Sequence, residues 1–197
     1  MPDCCERRIR RAEGRAPPDP RTRSRGHSDG GDRLHRPDRG RIVEGDGGLV
    51  IREVARHDFA QWQVLWECYN RFYGRCGPTA LADEVTLMTW ARFFDVYEPV
   101  HALVAESEGR LVGLTHYIFH RSTILIEPLC YLQDLFADER SRGKGVGRAL
   151  IRAVYDRAKG AGASRVYWQT HESNAIARKL YDQVAERSGF IVYRRQL

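Results

Sequence analysis

The sequence predicts an α/β domain, a mixed sheet with a strand, helix, strand unit at its heart. Two observations carry this. The apolar stretch CYLQDLFA and the run SRVYWQT flank Gly145 to Lys159, where Val146, Leu150, Val154 and Ala158 recur on one helical face. Upstream, the alternating runs HALVAES and RLVGLTHYIFH are separated only by Glu108 and Gly109, as in a hairpin.

Composition supports a globular reading. The 197 residues are 42% hydrophobic and 29% charged, enough for one domain with or without a tail. No apolar run approaches the roughly 18 residues that span a bilayer. Of the formal charge of +6, residues 1–47 contribute +3, from 12 Arg against 9 Asp plus Glu, so the remainder is only mildly basic. Five cysteines, an odd number without a CxxC pair, argue against a disulfide framework or a bound metal and for a reduced, cytoplasmic setting.

Residues 1–47 are rich in Arg, Pro and Gly, lack helical or strand periodicity, and are expected to be a disordered tail ahead of a domain over 48–197. Interspersed acids and the lack of aromatics argue against a nucleic-acid-binding arm. From Leu49, LVIREV reads as a strand. Asp58 then caps a helix to about Tyr73, in which Trp62, Leu65, Trp66, Tyr69 and Phe72 recur at helical spacing. A second helix is expected from Asp83 to Phe94. After the hairpin and the central unit come a helix from Asn174 to about Arg187, stopped by Ser188 and Gly189, and a closing strand FIVYRR.

The stretch SRGKGVGRALI, Ser141 to Ile151, carries the clearest chemical signal. Gly143, Gly145 and Gly147 let the backbone approach a ligand closely. The helix that follows presents unpaired N–H donors and the positive end of its dipole, and Arg142, Lys144 and Arg148 add full charges. This is a cradle for a phosphate or pyrophosphate. The Walker pattern GxxxxGK[ST] is not met, and the dinucleotide pattern GxGxxG fails because Arg148 stands where its third glycine belongs.

With NAIARKLYDQVAERSGF following about thirty residues later, this half of the chain resembles the GNAT superfamily of acetyl-CoA-dependent N-acetyltransferases. The likeness runs from about Leu49 to Leu197. YLQDLFADERSRGKGVG and HESNAIARKLY are most similar to the spermidine/spermine and fungal histone/polyamine acetyltransferases. The resemblance implies a mostly antiparallel central sheet, splayed at its fourth strand and flanked by about four helices. It also implies acetyl-CoA as co-substrate and a small-molecule amine as acceptor, with no membrane partner; dimers are frequent in the family through the last strands.

Residue by residue, the resemblance implies that Leu135, Phe136 and Ala137 run beside the pantetheine. Arg142, Gly143, Lys144, Gly145, Val146, Gly147 and Arg148 hold the pyrophosphate, and Asn174 contacts the cofactor. The Leu135 N–H is the expected oxyanion donor and Tyr181 the expected acid for the leaving thiolate. The polyamine enzymes carry Glu-Asp where this chain has Gln133-Asp134, which leaves Asp134 as base, amine anchor or structural carboxylate. Tyr69 and Tyr73 are the expected walls of an acceptor pocket, with Trp62 and Trp66 assigned to the core. His116, His120 and His171 are read as satisfied or exposed rather than catalytic. Asn174 can equally be a plain helix cap and Tyr181 a core aromatic. A protein or peptide acetyltransferase and a non-catalytic acyl-CoA-binding module are the alternative functions.

Overall fold

The computed structural model describes residues 43–45 and 48–197. The tail expected over residues 1–47 otherwise lies outside the described residues. Its last part adds a strand in front of the expected domain: β1 (Val43–Gly45) pairs antiparallel with β2 (Leu49–Glu53). There follow α1 (Phe59–Phe72), α2 (Asp83–Arg92), β3 (Val100–Ser107), β4 (Arg110–His120), β5 (Leu129–Ala137), α3 (Val146–Gly160), β6 (Arg165–Tyr167) and α4 (Ala175–Val184). The strands form one sheet in the order β1-β2-β3-β4-β5-β6, antiparallel except for the parallel β5–β6 pair that the α3 crossover requires. The strand expected to be fourth is β5 here because of β1.

The chain divides into one unit ending at Tyr167 and a second, Trp168–Leu197, that holds α4. In the first unit both faces of the sheet are covered. Trp62, Leu65, Trp66 and Tyr69 of α1 pack with Trp90 of α2 on Ala102, Val104, Leu114 and Phe136. The opposite face takes α3, whose Val146, Leu150, Ile151 and Val154 are buried. Burial on both faces explains why Ala102 to Ala105 is a continuous apolar run rather than an alternating one.

Gly113 shows how closely α3 approaches. A Cβ there would lie 2.8 Å from Val146 Cγ1 and 2.9 Å from the Phe136 carbonyl oxygen, so only a bare backbone fits between strand and helix. The next residue, Leu114, faces α1, as strand alternation demands.

Several expectations shift. Asp58 stands at the N-cap of α1, but its carboxylate makes no cap bond there. It is buried and takes the Arg52 fork at 2.6 and 2.9 Å and the Ala55 N–H at 2.7 Å. A charged fork outcompetes a neutral amide for the same oxygens. SRVYWQT is a strand only over Arg165–Tyr167, where β5 offers a partner. α4 ends at Val184, and FIVYRR forms no strand: Phe190, Ile191, Val192 and Tyr193 are exposed. A strand needs a neighbouring edge to complete its hydrogen bonds, and Trp168–Leu197 contains none.

Cys76 and Cys130 are free thiols, but Cys68 is disulfide-bonded, so the reduced set expected from count and spacing does not hold there. Count and spacing exclude a framework, not a single bond. Among the described residues no helix is long and apolar enough to cross a membrane, and no group of His, Cys, Asp and Glu is arranged to hold a metal.

Candidate active site

The site is organised by an irregularity in β5. His116 pairs with Asp134 but Tyr117 pairs with Leu132, so Gln133 is an extra residue, a β-bulge. Paired residues share a face. Leu132 therefore lies on the α3 side with Tyr117, while Asp134 is turned to the α1 side with His116. Without the bulge, strict alternation would bury Asp134 under α3. Gln133 itself is exposed.

Asp134 enters a buried polar chain. The Tyr69 hydroxyl donates to Asp134 Oδ1 at 2.5 Å, and His116 Nδ1 meets Oδ2 at 2.9 Å. Trp62 Nε1–H donates to His116 Nε2 at 3.0 Å. An indole N–H can only donate, so Nε2 is the acceptor and the imidazole proton sits on Nδ1, directed at Asp134. The His116 ring is held among Phe93, Trp66 and Trp62, with centroids 4.8, 5.2 and 5.9 Å away. Burial, reinforced by the Asp134 charge, pushes the Tyr69 hydroxyl far above its ordinary range, so it remains a donor. Among the described residues, Trp66 Nε1 is buried without an acceptor.

The C-terminus of α1 forms the mouth. Gly74 adopts φ +76°, and the Gly74 and Arg75 N–H groups donate to the Arg71 and Asn70 carbonyls at 3.0 and 2.9 Å. This Schellman arrangement folds Arg75 back over the last helical turn. Its Nε donates to Asn70 Oδ1 at 2.6 Å, while Asn70 Nδ2 donates to the Trp66 carbonyl at 2.8 Å. The guanidinium carbon lies 5.5 and 5.3 Å from the Tyr69 and Tyr73 ring centroids. Burial and the Asp134 charge raise the Tyr73 hydroxyl, against which Arg75 acts.

The expected cofactor cradle has a fitting form. Gly143 and Gly145 stand at φ +77° and +83°, and a Cβ at either would meet nothing within 4 Å, so the space over the loop is open. Gly145 is the N-cap of α3, whose first amides face outward from it. Arg142 and Lys144 are exposed, Arg142 pairing with Glu139 at 3.1 Å. Strand β6 pairs only with Leu129–Tyr131, so from Leu132 to Ala137 the edge of β5 away from β4 has no strand partner among the described residues. An extended chain bearing amides can bond to such an edge, which suits pantetheine beside Leu135, Phe136 and Ala137.

Asn174 and Tyr181 belong to the second unit. Asn174 caps α4, accepting from the Ala177 N–H at 3.4 Å, and Tyr181 meets the Trp168 ring edge-on at 5.3 Å. The structure joins Asp134 to Tyr69 by a hydrogen bond and Tyr69 to Tyr73 by a ring contact. Tyr69, however, is buried in the polar chain, and only Tyr73 is exposed at the mouth. His120 accepts from, or donates to, the Tyr167 hydroxyl at 2.9 Å, and His171 is exposed. His116 is satisfied, as expected, but by Asp134 and Trp62 within the site, a role its spacing could not reveal. Arg75 was also missed; its signal was the Tyr-Gly-Arg helix stop.

Comparison with known proteins shows the family. The sequence matches the acetyltransferase (GNAT) family over residues 61–185. It is 36% identical over 149 residues to the D-amino-acid N-acetyltransferase HPA3 of Saccharomyces cerevisiae, covering 75% of this chain and 90% of that protein. It is 32% identical over 147 residues to the N-acetyltransferase YhfO of Bacillus subtilis, covering 74% and 95%. The fold is similar to a solved aminoglycoside N-acetyltransferase in complex with CoA, at a TM-score of 0.64 and 18% identity, over 78% of this chain and 98% of that one. The chain belongs to the GNAT family of acetyltransferases and is an acetyl-CoA-dependent N-acetyltransferase.

Proposed function

We propose that the protein acetylates the primary amine of a small, amino-acid-like molecule by direct attack within a ternary complex. The observation that carries this is the bulge at Gln133, which turns Asp134 toward Tyr69 and His116 while Leu135 follows it on the open edge of β5. The similarity to a D-amino-acid N-acetyltransferase supports an amino-acid-like acceptor over a polyamine, as does neutral Gln133 in place of a glutamate.

Acetyl-CoA supplies the activated acetyl thioester. The loop from Arg142 to Arg148 holds its pyrophosphate with backbone N–H groups and charge, Asn174 adds a contact from α4, and Leu135, Phe136 and Ala137 guide its extended arm. Asp134 anchors the acceptor's ammonium between Tyr69 and Tyr73. Both Asp134 oxygens already accept from Tyr69 and His116, so Asp134 serves as anchor while the amine's proton leaves to water. The freed nitrogen attacks the carbonyl carbon, whose oxygen receives the Leu135 N–H. The carbon–sulfur bond breaks, the Tyr181 hydroxyl gives its proton to the departing sulfur, and the proton lost by the new amide nitrogen, carried by water, restores the hydroxyl.

Thiol release from acetyl-CoA over a panel of amines tests the reading. Tyr181→Phe is expected to lower kcat by about 10²-fold or more while the Kd for acetyl-CoA stays within about twofold. Unchanged kcat removes Tyr181 from the acid role, and thiol release with no amine removes the acceptor reading altogether.

A further inference from the structure

We propose that Arg75 reads a carboxylate on the acceptor, so that the protein selects α-amino acids over amines lacking an acid group. The inference rests on the acyl transfer proposed above and adds the residue that sets its specificity.

The placement of Arg75 is built rather than incidental. Gly74 at φ +76° and the two Schellman hydrogen bonds fix its backbone, and the Nε–Asn70 bond at 2.6 Å fixes the plane of its guanidinium. Asn70 is itself buried and held by the Trp66 carbonyl, so the support is rigid. With Nε engaged, both terminal nitrogens remain as a planar fork, and among the described residues no carboxylate lies within ion-pair distance of them. A pre-oriented fork lacking an acid is a receptor for one, because guanidinium and carboxylate match two bonds to two.

The opposite charge bears on the same two tyrosines. Asp134 acts on the Tyr69 and Tyr73 hydroxyls, and Arg75 acts on both in the opposite sense. Tyr69 carries Asp134 at its hydroxyl and Arg75 over its ring face. An α-amino acid bears an ammonium and a carboxylate on one carbon and can engage both charges across that tyrosine. A polyamine would bring a second cation toward Arg75, which repels it.

The test compares α-amino acids with their α-carboxamides and with the decarboxylated amines, phenylalanine, phenylalanine amide and phenethylamine among them, in both configurations where they exist. The unmodified protein is expected to prefer the acid by about 10²-fold in kcat/KM, expressed chiefly in KM. Arg75→Gln should collapse the acid-to-amide ratio toward one, and Arg75→Lys should restore part of it, charge without the fork. Equal kcat/KM for acid and amide in the unmodified protein, or a ratio that survives Arg75→Gln, overturns the assignment while acyl transfer stands. Absence of thiol release with every amine overturns both.

Discussion

Replacing Gly113 by Ala links the core to the cofactor cradle. The new methyl would sit 2.8 Å from Val146 Cγ1, 2.9 Å from the Phe136 carbonyl oxygen and 3.2 Å from Leu150 Cδ1. The Val146 and Leu150 side chains can adjust, but a strand carbonyl cannot rotate away, so α3 must move outward. Overpacking of this kind costs about 1–3 kcal/mol, against which Gly→Ala gains about 0.4–1 kcal/mol from the unfolded chain. Net destabilisation is expected, on the order of 1–2 kcal/mol, read as a lower urea midpoint with an unchanged m-value. Val146 is also the first residue of α3 after Gly145, so the same shift displaces the amides proposed above to hold pyrophosphate. An increase of roughly tenfold in the Kd for CoA by titration calorimetry follows from a loss of about 1.4 kcal/mol. Gly160 is the control: a Cβ there meets nothing within 4 Å, so Gly160→Ala should leave stability unchanged or raised. A Gly113→Ala variant as stable as that control would refute the close-approach argument.

Other outcomes follow from the same geometry. Gly145→Asp forces a side chain onto φ +83° and a carboxylate into the cradle, so the Kd for CoA should rise about 10²-fold or more, with partial recovery at high salt. Trp66→Phe removes the buried indole N–H that lacks an acceptor; relief of about 1–3 kcal/mol of desolvation should offset most of the lost ring contact, leaving Tm close to the unmodified value. A Tm collapse would show that the N–H had a partner. Burial alone would raise the Asp58 carboxyl, but the Arg52 fork and the Ala55 N–H outweigh it and hold it below its ordinary 3.8. Its stabilisation is therefore complete above about pH 4 and is lost as pH falls through the lower folded value. Burial likewise holds His101 below 6.5, so unfolding should become easier as pH drops below that value, before Asp58 protonates. Asp58→Asn should flatten the acid limb of a Tm-against-pH profile but not its onset.

The regular elements were legible because apolar residues on one face give α1 and α3, and two apolar runs on either side of Glu108 and Gly109 give β3 and β4. Positive φ at Gly145 was readable from the loop because glycine is the residue that tolerates it. The bulge at Gln133 was not readable. CYLQDLFA alternates by parity with or without it, and only the pairing with β4 shows that Asp134 changes face. The length of β6 was hidden for a similar reason, since Trp168 and Gln169 are as compatible with a strand as Tyr167, and only the pairing with β5 shows that the ladder ends at Tyr131 and Tyr167. The failure of FIVYRR to pair has the same origin, because a strand is specified by its neighbour as much as by its own residues.

Asp134, Arg75 and the loop at Gly145 each stand at a departure from regularity, and the polar chain explains how the first of these is kept in a single state. Asp134 has two oxygens and two committed donors, Tyr69 and His116. Turning the His116 proton to Nε2 would set two N–H donors against each other at Trp62 and strip Asp134 of a partner, leaving buried groups unsatisfied at a cost of about 1–3 kcal/mol each. Trp62 therefore orients a carboxylate it never touches. Because that orientation is settled in advance, the acceptor binding proposed above would cost no rearrangement of Asp134, which stands one residue along β5 from the Leu135 amide proposed to receive the carbonyl oxygen.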